Sequence, residues 1–226
     1  MSTMLSQVAV LVEKDLRIEG RTRQTLGIVL VLGILITSVL GLGLSSQPQL
    51  AALGAPAILW VAYLFSGVLC FEKTMAVERQ EGALAGLLLA PIDRSVIFAA
   101  KLFTNLLLML GTAAVITAVG LLFFNFSLAA APLGFVLVIA ISMLGFAALG
   151  TLLSALASST RLQGGFLAML LFPLILPLVI ASTVQINAMF RPGATGADTG
   201  GLAILGAFDL IFLVTSWIVF ELVLEP

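Results

Sequence analysis

Six separate stretches, each 19 to 25 residues long and almost wholly apolar, leave this chain few places to fold other than a lipid bilayer. They cover residues 26–44, 51–71, 102–124, 132–156, 164–186 and 202–220. A helix that crosses the hydrocarbon core needs roughly 17–25 apolar residues. The first five stretches contain no Asp, Glu, Lys or Arg. Backbone inside hydrocarbon must satisfy its own N–H and C=O groups, and a helix does this within a single segment. The expected fold is therefore all-α: a polytopic membrane protein with six transmembrane helices, read as one domain over residues 1–226. Only 9% of the residues are charged, against about 25% in soluble domains. The first run does not read as a signal peptide, because it is long and some two dozen residues precede it.

The charges that remain sort by side. Lys14, Arg17, Arg21 and Arg23 precede the first run. Lys73, Arg79, Arg94 and Lys101 lie between the second and third, and Arg161 between the fourth and fifth. The three alternate segments hold Arg191 alone. Cytoplasmic loops carry the excess of Lys and Arg, so both termini are expected in the cytoplasm. A helix count wrong by one would scramble this pattern.

Chemistry is scarce. There is no histidine, so no His metal site, His general base or His haem ligand can come from this chain. Cys70 is the only cysteine and reads as a small hydrophobe in a helix. No G-x-x-x-x-G-K-[ST] phosphate loop occurs, nor paired intramembrane acids or a Ser/His/Asp set. The chain is not expected to be an enzyme, nor to hold a metal or cofactor itself.

Two segments outside the spans carry information. In residues 4–20, Leu5, Val8, Val12 and Leu16 make one helical stripe, with Glu13, Lys14, Arg17 and Glu19 elsewhere. Such a helix is expected to lie in the membrane interface. Between the second and third spans, residues 76–90 can form a helix stopped by Pro91. Its first half is charged (Glu78, Arg79, Glu81) and its second half is leucine-rich (Leu84, Leu87, Leu88, Leu89). That split would rest the leucines on the bilayer and present the charges to something in the cytoplasm. Asp93 or Ser95 can cap the helix that follows. The bland reading of these charges is a solvated loop.

The pattern E-R-x-x-G-x-L-x-x-L-L-x-x-P-x-x-R, spelled from Glu78 to Arg94, resembles the cytoplasmic loop of ABC-2-type exporter membrane subunits. The opening KDLRIEGRTRQ from Lys14 to Gln24, LWVAYLFSG from Leu59 to Gly67, and ERQEGALAGLLLAPIDRSVIFAAK narrow the resemblance to the CcmB family. That is the membrane subunit of the cytochrome c maturation, or haem-export, ABC system. The match runs in order along the chain and includes a proline-bearing fifth helix with Pro173 and Pro177. The family shows a stricter E-R-E, where this chain places Gln80 between Arg79 and Glu81.

The resemblance implies a permease subunit of a bacterial inner membrane that hydrolyses nothing itself. ATP would be bound by a separate CcmA-like ATPase, with haem as the possible substrate. CcmC-like and CcmD-like membrane proteins and a CcmE-like haem chaperone would be its partners, along with membrane lipid, and nucleic acid would not. The residues implied in ATPase coupling are Glu78, Arg79, Glu81, Gly82, Asp93 and Arg94, together with Arg17 and Arg21. The two arginines equally suit lipid headgroups.

Asp209 is the one acid deep within a span. At mid-helix it costs roughly 2.5–3.5 kcal/mol, which about a dozen apolar neighbours at roughly −0.4 kcal/mol each outweigh. An intramembrane acid is a functional candidate by default, although one two turns into its helix can also be reached by outer water. Pro173 and Pro177 are hinge or kink candidates. Gly150, Ser154 and Ser158 form a small-residue stripe suited to close helix packing. Three other functions stay open on sequence: an ABC-2 permease for a lipid, drug or glycan; a non-transporting scaffold for an ATPase; and an ion-coupled carrier. A single intramembrane acid and no visible repeat weigh against the carrier.

Overall fold

The computed structural model describes residues 4–80, 93–124, 131–159, 165–189 and 198–223, with side chains at all of these except 76–80, 158–159 and 221–223. Seven helices account for nearly all of them: α1 (Met4–Thr22), α2 (Gln24–Gly43), α3 (Pro48–Gln80), α4 (Arg94–Phe124), α5 (Pro132–Ser159), α6 (Phe166–Met189) and α7 (Thr199–Val223). All but α1 are long and apolar enough to cross a membrane. Six successive crossings place the start of α2 and the end of α7 on one face. That face also carries α1, the end of α3 and the start of α4, and is called the terminal face below.

The spans match the apolar runs, and the charged ends extend two of them. α4 begins at Arg94 rather than at residue 102. At 1.5 Å per residue its 31 residues are about 46 Å long, some 15 Å more than the hydrocarbon core. Its first turns therefore stand out from the bilayer. α3 likewise continues to Gln80, so residues 76–80 are the last turn of a spanning helix and not the start of a separate one. The rest of the expected coupling helix, including Glu81, Gly82 and Pro91, lies outside the described residues.

The core is built where rings enter gaps left by glycines. Trp60, Tyr63 and Phe71 of α3 and Met143 and Phe146 of α5 are fully buried. Phe71 and Phe146 meet edge to face with centroids 5.1 Å apart. A Cβ on Gly150 would fall inside the Phe71 ring, which is why the small-residue stripe of α5 has glycine there. At Gly150 and at the buried Ser154 the stripe packs within the chain. Three bonds between polar side chains cross from helix to helix inside the core. Trp60 Nε1 donates to Ser182 Oγ at 3.0 Å, joining α3 to α6. Asn105 Nδ2 donates to Thr151 Oγ1 at 2.9 Å, joining α4 to α5. Thr117 gives its hydroxyl proton to the carbonyl of Ala113, so Tyr63 must donate the 2.6 Å bond to Thr117 Oγ1.

α6 runs without a break through Pro173 and Pro177, and both prolines face outward. Neither cyclic residue has an N–H, so the i−4 helical bonds to Met169 and Pro173 are missing on that outer face. At its far end α6 is pinned to α7: Gln185 Oε1 accepts from the Asp198 N–H at 3.0 Å, and Asp198 Oδ2 accepts from the Gly201 N–H at 3.0 Å. Asp198 thereby caps α7.

Candidate functional site

The terminal face is organised by α1. This helix was expected in the membrane interface, and the structure lays it against the protruding start of α4. Val8 is buried there with Val96, Ala99 and Ala100, and Leu11 and Val12 pack around them. Leu5, the first member of the apolar stripe, is 82% exposed and packs on no other described helix. Glu19, assigned to the polar side, is buried. Leu16 packs against the main core as the stripe requires, and Val8, Val12, Asp15 and Glu19, at steps of four, three and four, share the neighbouring line that turns toward α4 and α2.

Both acids on that line have specific partners. Lys101 Nζ donates to Asp15 Oδ2 at 2.7 Å, with side-chain exposures of 8% and 9%. Lys14 Nζ stands 3.0 Å from the other oxygen, Asp15 Oδ1. Glu19 Oε1 accepts from the Leu26 N–H at 2.7 Å, which satisfies one of the free donors at the start of α2. A carboxylate there is also favoured by the helix dipole. The residue at the N-cap position, Arg23, makes no side-chain cap. It adopts a left-handed conformation (φ 50°, ψ 18°) that ends α1 and starts α2 in one residue. Its N–H closes α1 by donating to the Glu19 carbonyl at 2.7 Å. α1 is thus tied to α2 through Glu19 and to α4 through Asp15.

The outward side of α1 is open. Arg17 is exposed and paired with Glu13 one turn earlier at 2.5 Å, and Arg21 is exposed. On the neighbouring elements of the same face, Glu78 and Arg79 occupy the end of α3. Asp93, exposed, sits just before α4, where its carbonyl accepts from the Val96 N–H at 2.9 Å. Arg94 is the first residue of α4, and Ser95 is already inside the helix, so Asp93 holds the capping position. Of the residues singled out for ATPase coupling, Arg17, Arg21, Glu78, Arg79, Asp93 and Arg94 therefore fall on one face. Glu81 and Gly82 lie outside the described residues.

Asp209 is a second, separate place. α7 begins at Thr199, three residues earlier than the apolar run, which puts Asp209 near the middle of the crossing rather than two turns from its end. Its side chain turns inward and the residue is 5% exposed. The carboxyl occupies the gap left by Gly145 of α5, beside Leu178 of α6; any Cβ at Gly145 would collide with both. Oδ1 has no hydrogen-bond partner among the described residues. Solvation by outer water, one of two readings open on sequence, does not fit this burial. Trp217, by contrast, lies on the outer side of α7, edge to face against Phe98.

With the geometry in place, comparison with known proteins decides the family. The family model described as "CcmB protein" matches residues 6–222. The chain belongs to the CcmB family. Among its relatives, "Heme exporter protein B" of Paracoccus denitrificans (strain Pd 1222) is 28% identical over 211 residues, covering 90% of this chain and 91% of that protein. The protein of the same name from Escherichia coli (strain K12) is 32% identical over 72 residues, as is that of Shigella flexneri. Those alignments span about a third of the relatives' length (33%). The CcmB match takes in α1, all six crossings and the whole terminal face, so Asp15, Glu19, Lys101 and Asp209 all fall inside it.

Proposed function

We propose that this chain is the membrane subunit of an ABC transporter for haem export or release in cytochrome c maturation. It would sit in a bacterial inner membrane with its terminal face in the cytoplasm. The observation that carries the reading is the CcmB-family match over residues 6–222. The names of the matched relatives support the cargo, because each is described as a haem exporter. The nine-to-one placement of Lys and Arg supports the orientation.

ATP hydrolysis belongs, in this reading, to a separate CcmA-like subunit. It docks on the terminal face through the outward side of α1 (Arg17, Arg21), the end of α3 (Glu78, Arg79), residues Glu81 and Gly82, and Asp93 and Arg94 before and at the start of α4. Rigid helices on that face transmit displacement to the spans behind them. CcmC-like and CcmD-like proteins complete the assembly, and a CcmE-like chaperone receives haem. No residue of this chain is assigned to haem ligation.

The test is genetic and biochemical together. Deleting the gene should abolish covalent haem on c-type cytochromes while leaving b-type haem in the same membranes, and the wild-type gene should restore it. Normal c-type cytochromes in the deletion strain would overturn the haem reading and favour another cargo.

A further inference from the structure

The buried Asp15–Lys101 pair was not among the residues singled out for coupling, and its place on the terminal face gives it a role. We propose that Asp15 and Lys101 are positioning residues: they lock α1 to α4 in one register, so that a push on the outward side of α1 moves α2 and α4 together. This deepens the reading of the chain as an ATPase-driven subunit and rests on it.

Four observations support the role. The pair is direct, at 2.7 Å, and both side chains are about nine-tenths buried. The apolar contact beneath it is made of valine, leucine and alanine side chains (Val8, Leu11, Val12 against Val96, Ala99, Ala100). Such a smooth contact can slide along the helix axis, whereas a charged bond has one geometry. One turn further along, Glu19 fixes α1 to a different spanning helix through the Leu26 N–H. Finally, the opposite side of α1 is free to receive a partner, with Arg17 77% exposed at its side chain. A buried ion pair is poor evidence for stability, since apolar residues of similar size pack as well or better; its best-attested use is to set register.

Asp15→Leu with Lys101→Met removes both charges together and keeps the volume. Asp15→Lys with Lys101→Asp, made together with Lys14→Gln to remove the neighbouring cation, keeps a pair of opposite sign. Each protein is purified with its ATPase and reconstituted with haem and the haem chaperone. Three quantities are read: ATPase bound per membrane subunit, ATP turnover, and ATP consumed per haem-loaded chaperone released. The apolar double variant should bind the ATPase and turn over ATP within twofold of wild type, yet consume at least tenfold more ATP per release. The charge-swapped pair should return that ratio to within about threefold of wild type. A wild-type ratio in the apolar variant would overturn the proposal, leaving the pair as packing alone. An apolar variant that the swap does not rescue would overturn it as well. Failure of the wild-type protein to bind any ATPase would instead overturn the reading of the chain as an ATPase-driven subunit, and the positioning role with it.

Discussion

Replacing Asp209 should make this protein more stable and less active. The carboxyl sits near mid-span, 5% exposed, with one oxygen unpartnered among the described residues. On the insertion scale an Asp at the helix centre is unfavourable by roughly 2.5–3.5 kcal/mol and a Leu favourable by about 0.3–0.6, so Asp209→Leu gains about 3–4 kcal/mol. The gap at Gly145 opposes this, because leucine's branched end meets Gly145 and Leu178. Overpacking of that kind costs about 1–3 kcal/mol. The net expectation is a stabilisation of about 0–3 kcal/mol. Asp209→Asn keeps the shape, and should stay within about 1 kcal/mol of wild type. The assay is thermal or denaturant unfolding in nanodiscs, followed by circular dichroism. Covalent haem on c-type cytochromes in cells is measured in parallel, and the Leu variant should show a clear loss, because intramembrane acids are retained at functional places despite their cost. A Leu variant destabilised by more than about 2 kcal/mol would refute the reasoning, since it would mean that the carboxyl makes a bond worth more than its burial costs. A Leu variant that is stabilised and fully active would leave the structural part standing and remove the functional part.

Three further outcomes test the packing and the caps. Gly150→Leu forces a side chain into the Phe71 ring and should cost about 1–3 kcal/mol or abolish folding, read by fluorescence-detected size-exclusion chromatography. Glu19→Ala removes the acceptor at the start of α2 and should destabilise by about 0.5–2 kcal/mol, while Glu19→Gln keeps an acceptor oxygen and should lose less than half of that. Tyr63→Phe deletes the donor to Thr117, whose own proton stays on Ala113; unfolding should show a loss of about 0.5–1.5 kcal/mol and no more.

The spans were legible because a bilayer leaves an apolar run of that length one solution, and each of the six runs became a helix in nearly the same place. Their ends were less so. Glu72 and Lys101 mark where charge begins, but a helix can carry charge beyond the hydrocarbon, and α3 and α4 both do. α1 was legible as an amphipathic helix, and three members of its apolar stripe, Val8, Val12 and Leu16, do pack inward. Its stripe was drawn through Leu5 on hydrophobicity, although Asp15 and Glu19 continue the line of Val8 and Val12. Two acids on an otherwise apolar face are a signal that they have partners, and Lys101, at the very edge of its run, was the partner on offer. Pairing them needs tertiary structure, since 86 residues separate Asp15 from Lys101. Asp209 was found at once, because a lone acid in an apolar run is conspicuous. Its depth was underestimated by the three residues that α7 gains at its start. Pro173 and Pro177 were found as readily, yet α6 passes through both unbroken, so sequence alone did not say what they do.

The most direct test of the account is whether an ATPase subunit docks on the terminal face and depends on its charges. The chain would be co-expressed and purified with its candidate CcmA-like ATPase, comparing wild type with Glu81→Lys plus Arg94→Glu, and measuring co-purification and ATP turnover. The account predicts a stable complex for wild type, and release of the ATPase or loss of coupled turnover in the variant, with the membrane protein still folded. A wild-type chain that never retains an ATPase, or charge reversals that change nothing, would contradict it.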